Sequence, residues 1–186
     1  MSKDFHLTDE TTVVDGHTLH RIMYEDGVRG GWLENAYNIT NGVRVLDNAM
    51  VYGSGFVEDN VIVQGNARIY GNARVSGDAF GTIIEGDSRV YGNALVYGRS
   101  CVKDSAEVYG NAEICDSLIY GNAKVYENAK LRADTGWESV QVGGDVEIHG
   151  DMVLYNACTN KEDATIIETQ EDLDKYAVDM AAYLGR

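Results

Sequence analysis

The sequence has no long apolar run and few cysteines, and each shortage excludes a class of protein. None of its apolar stretches approaches the roughly 18 residues that a membrane-spanning helix needs. The opening residues, Met1 to His6, lack the apolar core of a secretory signal, so we expect a cytoplasmic protein that makes no membrane contact. The three cysteines are odd in number and show no C-x-x-C spacing, which predicts free thiols in a reducing compartment.

Positive charge is also scarce. The 186 residues include 15 Lys and Arg against 30 Asp and Glu, which gives a formal net charge of −15. A chain this acidic is repelled by nucleic-acid phosphates and by anionic lipid headgroups. We therefore expect no direct DNA binding, and the length is sufficient for one well-cored domain.

The sequence is rich in a six-residue repeat close to Val-Tyr-Gly-Asn-Ala-Xaa. Its first residue is β-branched or Leu and suits an inward strand position. Gly and Asn tolerate left-handed backbone conformations and mark a corner, and a small residue follows them. The period slips by three residues after position 75 and loses one before position 119. The first residues of the repeats are Val45, Val51, Val57, Val63, Ile69, Val75, Ile84, Val90, Val96, Val102, Val108, Ile114, Ile119, Val125, Leu131, Val142, Ile148 and Leu154.

Tyrosine spacing shows how many repeats make one turn. Tyr52 and Tyr70 are 18 residues apart, and so are Tyr91 and Tyr109. Three six-residue repeats per turn, each a short strand followed by a corner, predict an all-β solenoid of three-sided, 18-residue coils. Successive coils should lie about 4.8 Å apart, the spacing of neighbouring strands.

The repeat resembles the hexapeptide-repeat, left-handed β-helix superfamily, whose best-known members are acyltransferases. The fold class expected from it is therefore a left-handed parallel β-helix. A finer resemblance is to bacterial and phage proteins that open with a "GGW-[IL]-E" lead and continue into "NA-x-V-x-G" repeats. That resemblance covers about residues 18–157 and rests on Gly30-Gly31-Trp32-Leu33-Glu34, Asn38-Ile39 and Asp47 to Gly53.

The ends of the chain lack the repeat. Residues 1–42 are expected to cap the open coil, as solenoids require, and residues 43–157 to form the β-helix. Residues 158–186 are expected to form a linker and a C-terminal α-helix. Thr169 to Asp172 resembles a helix capping box. An apolar stripe follows at helical spacing: Leu173, Tyr176, Ala177, Met180, Ala181 and Leu184.

Strand alternation assigns the outward residues to three faces. The second face should carry a ladder of tyrosines ending in His149, beside three cations. Stacked rings with flanking cations could hold a planar, anionic ligand such as a nucleotide. The alternative is that tyrosine simply suits strands and that the cations offset nearby carboxylates. The candidate ligand-binding residues are Tyr70, Tyr91, Tyr109, Tyr126, Arg68, Arg89 and Lys124, with Trp137 in the loop from Arg132 to Gln141.

The first face should carry an apolar column that needs cover. The superfamily resemblance implies that this cover comes from a homotrimer, although the C-terminal helix is an alternative. The column consists of Leu46, Ile62, Ile83, Cys101 and Leu118.

The sequence leaves three functions open. Extended surfaces without a convergent catalytic set favour a non-catalytic binding protein for a small anionic ligand or a protein partner. The phage resemblance extends that hypothesis to countering host defence by sequestering a nucleotide immune signal. The superfamily implies instead an acyltransferase with acetyl-CoA as its cofactor and His149 as its only candidate base. A purely structural scaffold is the third, and no metal is expected, since Asp15, His17 and His20 lack a fourth ligand.

Overall fold

The chain folds as an all-β parallel solenoid of about six coils, which confirms the predicted fold class. The structure is a computed structural model that describes residues 3–133 and 139–155, together with the backbone of residues 157–167 and 178–179. Each coil contributes one short strand to each of three faces. Strands on a face pair in parallel with those of the next coil, in the register that the repeat predicts, as Val51 with Ile69 and Val90 with Val108.

The three faces are built from short strands, and the first and second are joined through the strand Val140–Ile148 into one sheet. The first face consists of Arg44–Val45, Val61–Val63, Thr82–Ile84, Cys101–Val102, Ser117–Ile119 and the first part of Val140–Ile148. The second consists of Arg29–Leu33, Met50–Val51, Arg68–Ile69, Arg89–Val90, Glu107–Val108, Lys124–Val125 and the last part of Val140–Ile148. The third consists of Phe56–Glu58, Arg74–Ser76, Leu95–Tyr97, Glu113–Cys115, Lys130–Arg132 and Val153–Tyr155.

The core is the column of repeat residues inside the prism. All of those predicted to point inward are at most 1% exposed. The small residues after each Gly-Asn pair, such as Ala73 and Ala94, are fully buried inside the corners. At these corners Gly92 has a φ of 70°, and a Cβ there would lie 2.9 Å from the amide nitrogen of Gly110 on the next coil. Close stacking of coils therefore requires glycine.

The three-residue insertion and the one-residue deletion both lie at the corner that leads from the third face to the first. The three extra residues occupy the turn at residues 77–81, which ends where the strand Thr82–Ile84 begins. The turn leaves Phe80 79% exposed. The deleted residue shortens the turn before Ser117, whose buried hydroxyl donates to the carbonyl of Cys115 at 2.6 Å.

An antiparallel hairpin caps the first coil. Its strands are Phe5–Val14 and His17–Tyr24, and the second pairs with Arg29–Leu33. Tyr24 lies buried under the prism, where its hydroxyl accepts a hydrogen bond from the amide of Val45 at 2.6 Å. The first strand with solenoid pairing is Arg29–Leu33, which pairs in parallel with Met50–Val51. The solenoid therefore begins before residue 43, the start that the sequence predicted.

The C-terminal end continues as strand where the sequence predicted a linker and a helix. Ala157–Ile167 pairs in parallel with Val140–Ile148. Val178–Asp179 pairs antiparallel with Ala157 and Cys158, at the start of Ala157–Ile167. Val178 and Asp179 are therefore extended and not helical. The rest of the predicted helix, residues 169–177 and 180–186, lies outside the described residues. No helix in the described part of the chain has the length and apolar character of a membrane-spanning segment.

The apolar column of the first face is shorter than predicted. Ile62, Ile83, Cys101 and Leu118 pair in register, with Arg44 at the head of the column. Leu46 does not belong to the column. Leu46 lies on the other side of the inward residue Val45 from Arg44, in the second outward column of this face. Its side chain is partly buried against the core.

Candidate functional site

The second face presents two parallel columns of side chains, one on each side of the inward repeat residues. The column before the repeat residue runs Met50, Arg68, Arg89, Glu107, Lys124 and Glu147. The column after it runs Tyr52, Tyr70, Tyr91, Tyr109, Tyr126 and His149. All sequence-predicted candidates on this face therefore lie together, while Trp137 lies outside the described residues.

The tyrosine rings stack on one another. The centroids of Tyr70 and Tyr91 are 5.0 Å apart with an interplanar angle of 2°, and those of Tyr91 and Tyr109 are 4.8 Å apart at 4°. Tyr109 and Tyr126 continue the stack at 4.8 Å and 1°. Because each ring face is covered by its neighbour, a planar ligand cannot enter between them. The stack leaves only ring edges and hydroxyls to face a partner.

Carboxylates bind alternate hydroxyls of the ladder. Tyr91 donates to Glu107 at 2.8 Å, and Tyr126 donates to Glu147 at 3.2 Å. Burial raises the pKa of both phenols, and these carboxylates raise it further, to about 12 for Tyr126. The phenols are therefore neutral hydrogen-bond donors at physiological pH.

The three cations differ in how well they are neutralised. Lys124 lies 2.7 Å from a carboxylate oxygen of Glu147, and this hydrogen bond raises the pKa of the lysine. Arg89 has a looser contact with Glu107, at 3.5 Å. The guanidinium group of Arg68 makes no hydrogen bond or ion pair within residues 3–133 and 139–155. Since Arg68 and Arg89 lie opposite each other on neighbouring strands, they form a small positive patch in an acidic protein.

His149 closes the ladder as a packed residue. Its ring stacks on Tyr126 at 4.8 Å, its side chain is 14% exposed, and its Nδ1 lies 3.6 Å from a carboxylate oxygen of Glu127. A general base must reach the proton that it removes. An imidazole held with one face against a tyrosine and mostly covered is poorly placed for that role.

The other end of the ladder is a polar cluster that the sequence did not predict. His17 lies above Tyr52 at 5.3 Å and contacts Glu34 at 2.9 Å, while the Tyr52 hydroxyl donates to Asp15 at 2.9 Å. Glu34 stands 18 residues before Tyr52, so counting one coil backwards would have placed it in this column. His20 instead contacts the carbonyl of Thr8, away from the cluster, and the described residues contain no group of three metal-ligating side chains.

Charges on the third face are satisfied within the face. Glu113, whose side chain is 15% exposed, contacts Lys130 at 3.2 Å and also pairs with Arg132. Its carboxylate accepts a hydrogen bond from the Tyr97 hydroxyl at 2.6 Å, and this bond above all lowers the pKa of Glu113. Burial, followed by Asp116, raises the pKa of the Cys115 thiol to about 11, so that thiol is unsuited to nucleophilic chemistry at neutral pH.

Comparison with known proteins identifies the repeat and no function. Residues 67–80 match the family model described as YdcK Beta solenoid repeat. That segment covers a complete second-face strand and corner, with Arg68, Tyr70 and the Gly71-Asn72 pair. No curated protein matches the chain significantly.

Proposed function

We propose that this protein is a non-catalytic binding protein whose second face docks an acidic surface of a protein partner. The observation that carries the proposal is the pair Arg68 and Arg89, opposite each other on adjacent strands, for which the described residues supply one carboxylate, Glu107, at 3.5 Å from Arg89. Like charges directly opposite each other in a sheet are destabilising. A carboxylate from a partner would relieve that repulsion and pair with Arg68.

The shape of the face favours a macromolecule over a small ligand. Small molecules bind in concave pockets, whereas this surface is a row of parallel strands. Tyrosines whose rings are already held in a stack lose little side-chain entropy when a partner covers their edges. We therefore place the partner across Tyr70, Tyr91 and Tyr109, with its carboxylates over the two arginines.

Assembly as a homotrimer through the first face is part of the proposal. Ile62, Ile83 and Leu118 form an apolar strip there, and Ile83 remains 37% exposed. Such a strip is stabilised when a second copy covers it. A trimer would bring three second faces to one particle and raise the apparent affinity for a multivalent partner.

The small-ligand and acyltransferase hypotheses have less support. The occupied ring faces remove the stacking sites that a nucleotide would use, although an edge-on phosphate at Arg68 and Arg89 is still compatible with the charges. The coverage of His149 disfavours acyl transfer from acetyl-CoA. The resemblance to bacterial and phage repeat proteins supports, as part of the proposal, a role against host defence through masking of a defence protein.

Charge reversal on one face at a time tests the proposal. The protein, immobilised and exposed to host lysate, is compared with Arg68→Glu on the second face and with Arg74→Glu on the third, two variants with the same net charge. We expect a partner that the wild type and Arg74→Glu retain equally and that Arg68→Glu loses. Equal retention by all three proteins would refute docking at this face.

Calorimetry separates the alternatives. Wild-type protein is titrated with cyclic and linear nucleotides and with acetyl-CoA. Nucleotide binding that disappears in Arg89→Ala would favour the small-ligand hypothesis, and acetyl-CoA turnover lost in His149→Ala would favour the enzyme.

A further inference from the structure

A polar cavity of about 380 Å³ lies at the junction of the N-terminal cap and the first coil. Its walls are Arg21 from the N-terminal hairpin, Arg29 and Gly30 from the strand Arg29–Leu33, and Asp47 and Asn48 from the first corner of the prism. The docking surface proposed above uses none of these residues.

The cavity contains a buried guanidinium that lacks a close counter-ion. The side chain of Arg21 is 9% exposed, and its Nε lies 3.8 Å from the nearest carboxylate oxygen, on Glu10. That nitrogen is buried, and no described residue forms a hydrogen bond with it. Its Nη1 donates to the carbonyls of Gly30 at 3.1 Å and Asp47 at 2.6 Å. Burying a charge is unfavourable unless an ion of opposite sign pairs with it.

The Glu10 carboxylate is already engaged by Arg29. Both oxygens of Glu10 accept hydrogen bonds from Nη2 of Arg29, at 2.7 and 2.8 Å. Glu10 lies in the irregular stretch of its strand between Leu7 and Thr11, so it can move without breaking paired strand hydrogen bonds. Glu10 therefore occupies the position that an external anion would take between the two arginines.

The Gly30-Gly31-Trp32 segment builds this cavity. A Cβ on Gly30 would lie 2.7 Å from the carbonyl oxygen of Val45, and one on Gly31 would lie 2.4 Å from that of Ala49. The two glycines thus let the cap approach the prism closely. Trp32 then lies against the guanidinium of Arg21, whose Cζ is 4.0 Å from the ring centroid.

We propose that this cavity binds a small hydroxylated anion, whose phosphate or carboxylate group displaces Glu10 and lies between Arg21 and Arg29. Planar guanidinium groups match both kinds of anion with paired hydrogen bonds. Asp47 and Asn48 also line the cavity. Oδ2 of Asp47 accepts a hydrogen bond from the Gly65 amide at 3.0 Å, which leaves Oδ1 of Asp47 and the amide oxygen of Asn48 as acceptors for the hydroxyl groups of the ligand. The cavity therefore selects a sugar phosphate or a sugar acid over a bare inorganic anion.

The fluorescence of Trp32, which lies against Arg21, can be used to measure ligand binding in the cavity. The chain has two tryptophans, so Trp137→Phe leaves Trp32 as the only indole emission. In that background the full chain is titrated with ribose 5-phosphate, gluconate and inorganic phosphate. We expect saturable quenching, at least tenfold tighter for a hydroxylated anion than for inorganic phosphate, and the tighter of ribose 5-phosphate and gluconate identifies the anionic group.

Two single substitutions should act in opposite directions. Arg29→Gln, at an exposed side chain, should weaken binding at least tenfold, while Glu10→Gln removes the competing carboxylate and should tighten it several-fold. Arg89→Gln on the second face is the control and should change nothing. No saturable response at millimolar ligand, in either the parent or Glu10→Gln, would overturn the proposal. So would a Glu10→Gln variant that melts earlier without binding more tightly.

Discussion

Removal of one tyrosine from the middle of the ladder should separate the contribution of ring stacking from that of the hydroxyl. Tyr91 stacks on Tyr70 and Tyr109, and each stacked pair is worth about 0.5–1.5 kcal/mol beyond area burial. Its hydroxyl donates to Glu107, and a hydrogen bond to a charged group contributes about 1.5–3 kcal/mol. Tyr91→Ala should therefore destabilise the fold by about 2.5–6 kcal/mol, and Tyr91→Phe by about 1.5–3 kcal/mol.

Tyr70→Phe is the matched control for the hydroxyl. It lies one coil away in the same stack, and within the described part of the chain its hydroxyl makes no hydrogen bond. Its removal should change stability by less than about 0.5 kcal/mol. Urea unfolding followed by circular dichroism measures all three variants, and constant m-values check that the transitions are comparable. Equal effects of Tyr91→Phe and Tyr70→Phe would refute the assigned role of the Glu107 hydrogen bond.

Three further predictions follow from the core, the first face and the third face. Val90→Asp places an unpaired charge inside the prism and should destabilise it by about 3–5 kcal/mol in thermal unfolding; normal stability would contradict the register. Ile62→Arg combined with Leu118→Arg should convert the proposed trimer into monomers or aggregates in sedimentation, unless the wild type is itself monomeric. Wild type should be more stable than Glu113→Gln, and this difference in unfolding free energy should be complete above the ordinary carboxyl pKa of about 4.5. The difference should vanish as pH falls through the lowered pKa of Glu113. A difference that persists in acid would exclude the ion pairs as its source.

The fold could be predicted because a solenoid repeats its chemistry along the chain. Every coil needs an inward β-branched residue, a left-handed corner and a small residue inside that corner, so each coil predicts the next. The 18-residue period also placed the tyrosines in one column. Strand spacing of about 4.8 Å equals a ring-stacking distance, so the sequence already implied that these rings would cover one another.

The ends could not be predicted because their burial depends on contacts that no period encodes. Arg21 is charged and has no repeat position, yet it is buried by the hairpin, by Trp32 and by the first corner. At the C-terminal end, Ala157–Ile167, which was predicted to be a linker, pairs with an available strand edge along Val140–Ile148. Local pattern does not reveal which contact dominates.

Native mass spectrometry of the protein purified from host cells tests the central claim most directly, because it reports subunit number and bound partner together. The account predicts a particle of three chains with a protein partner, and three chains alone for Arg68→Glu. A wild-type particle of single chains, or one that carries a nucleotide mass which Arg68→Glu removes, would contradict it.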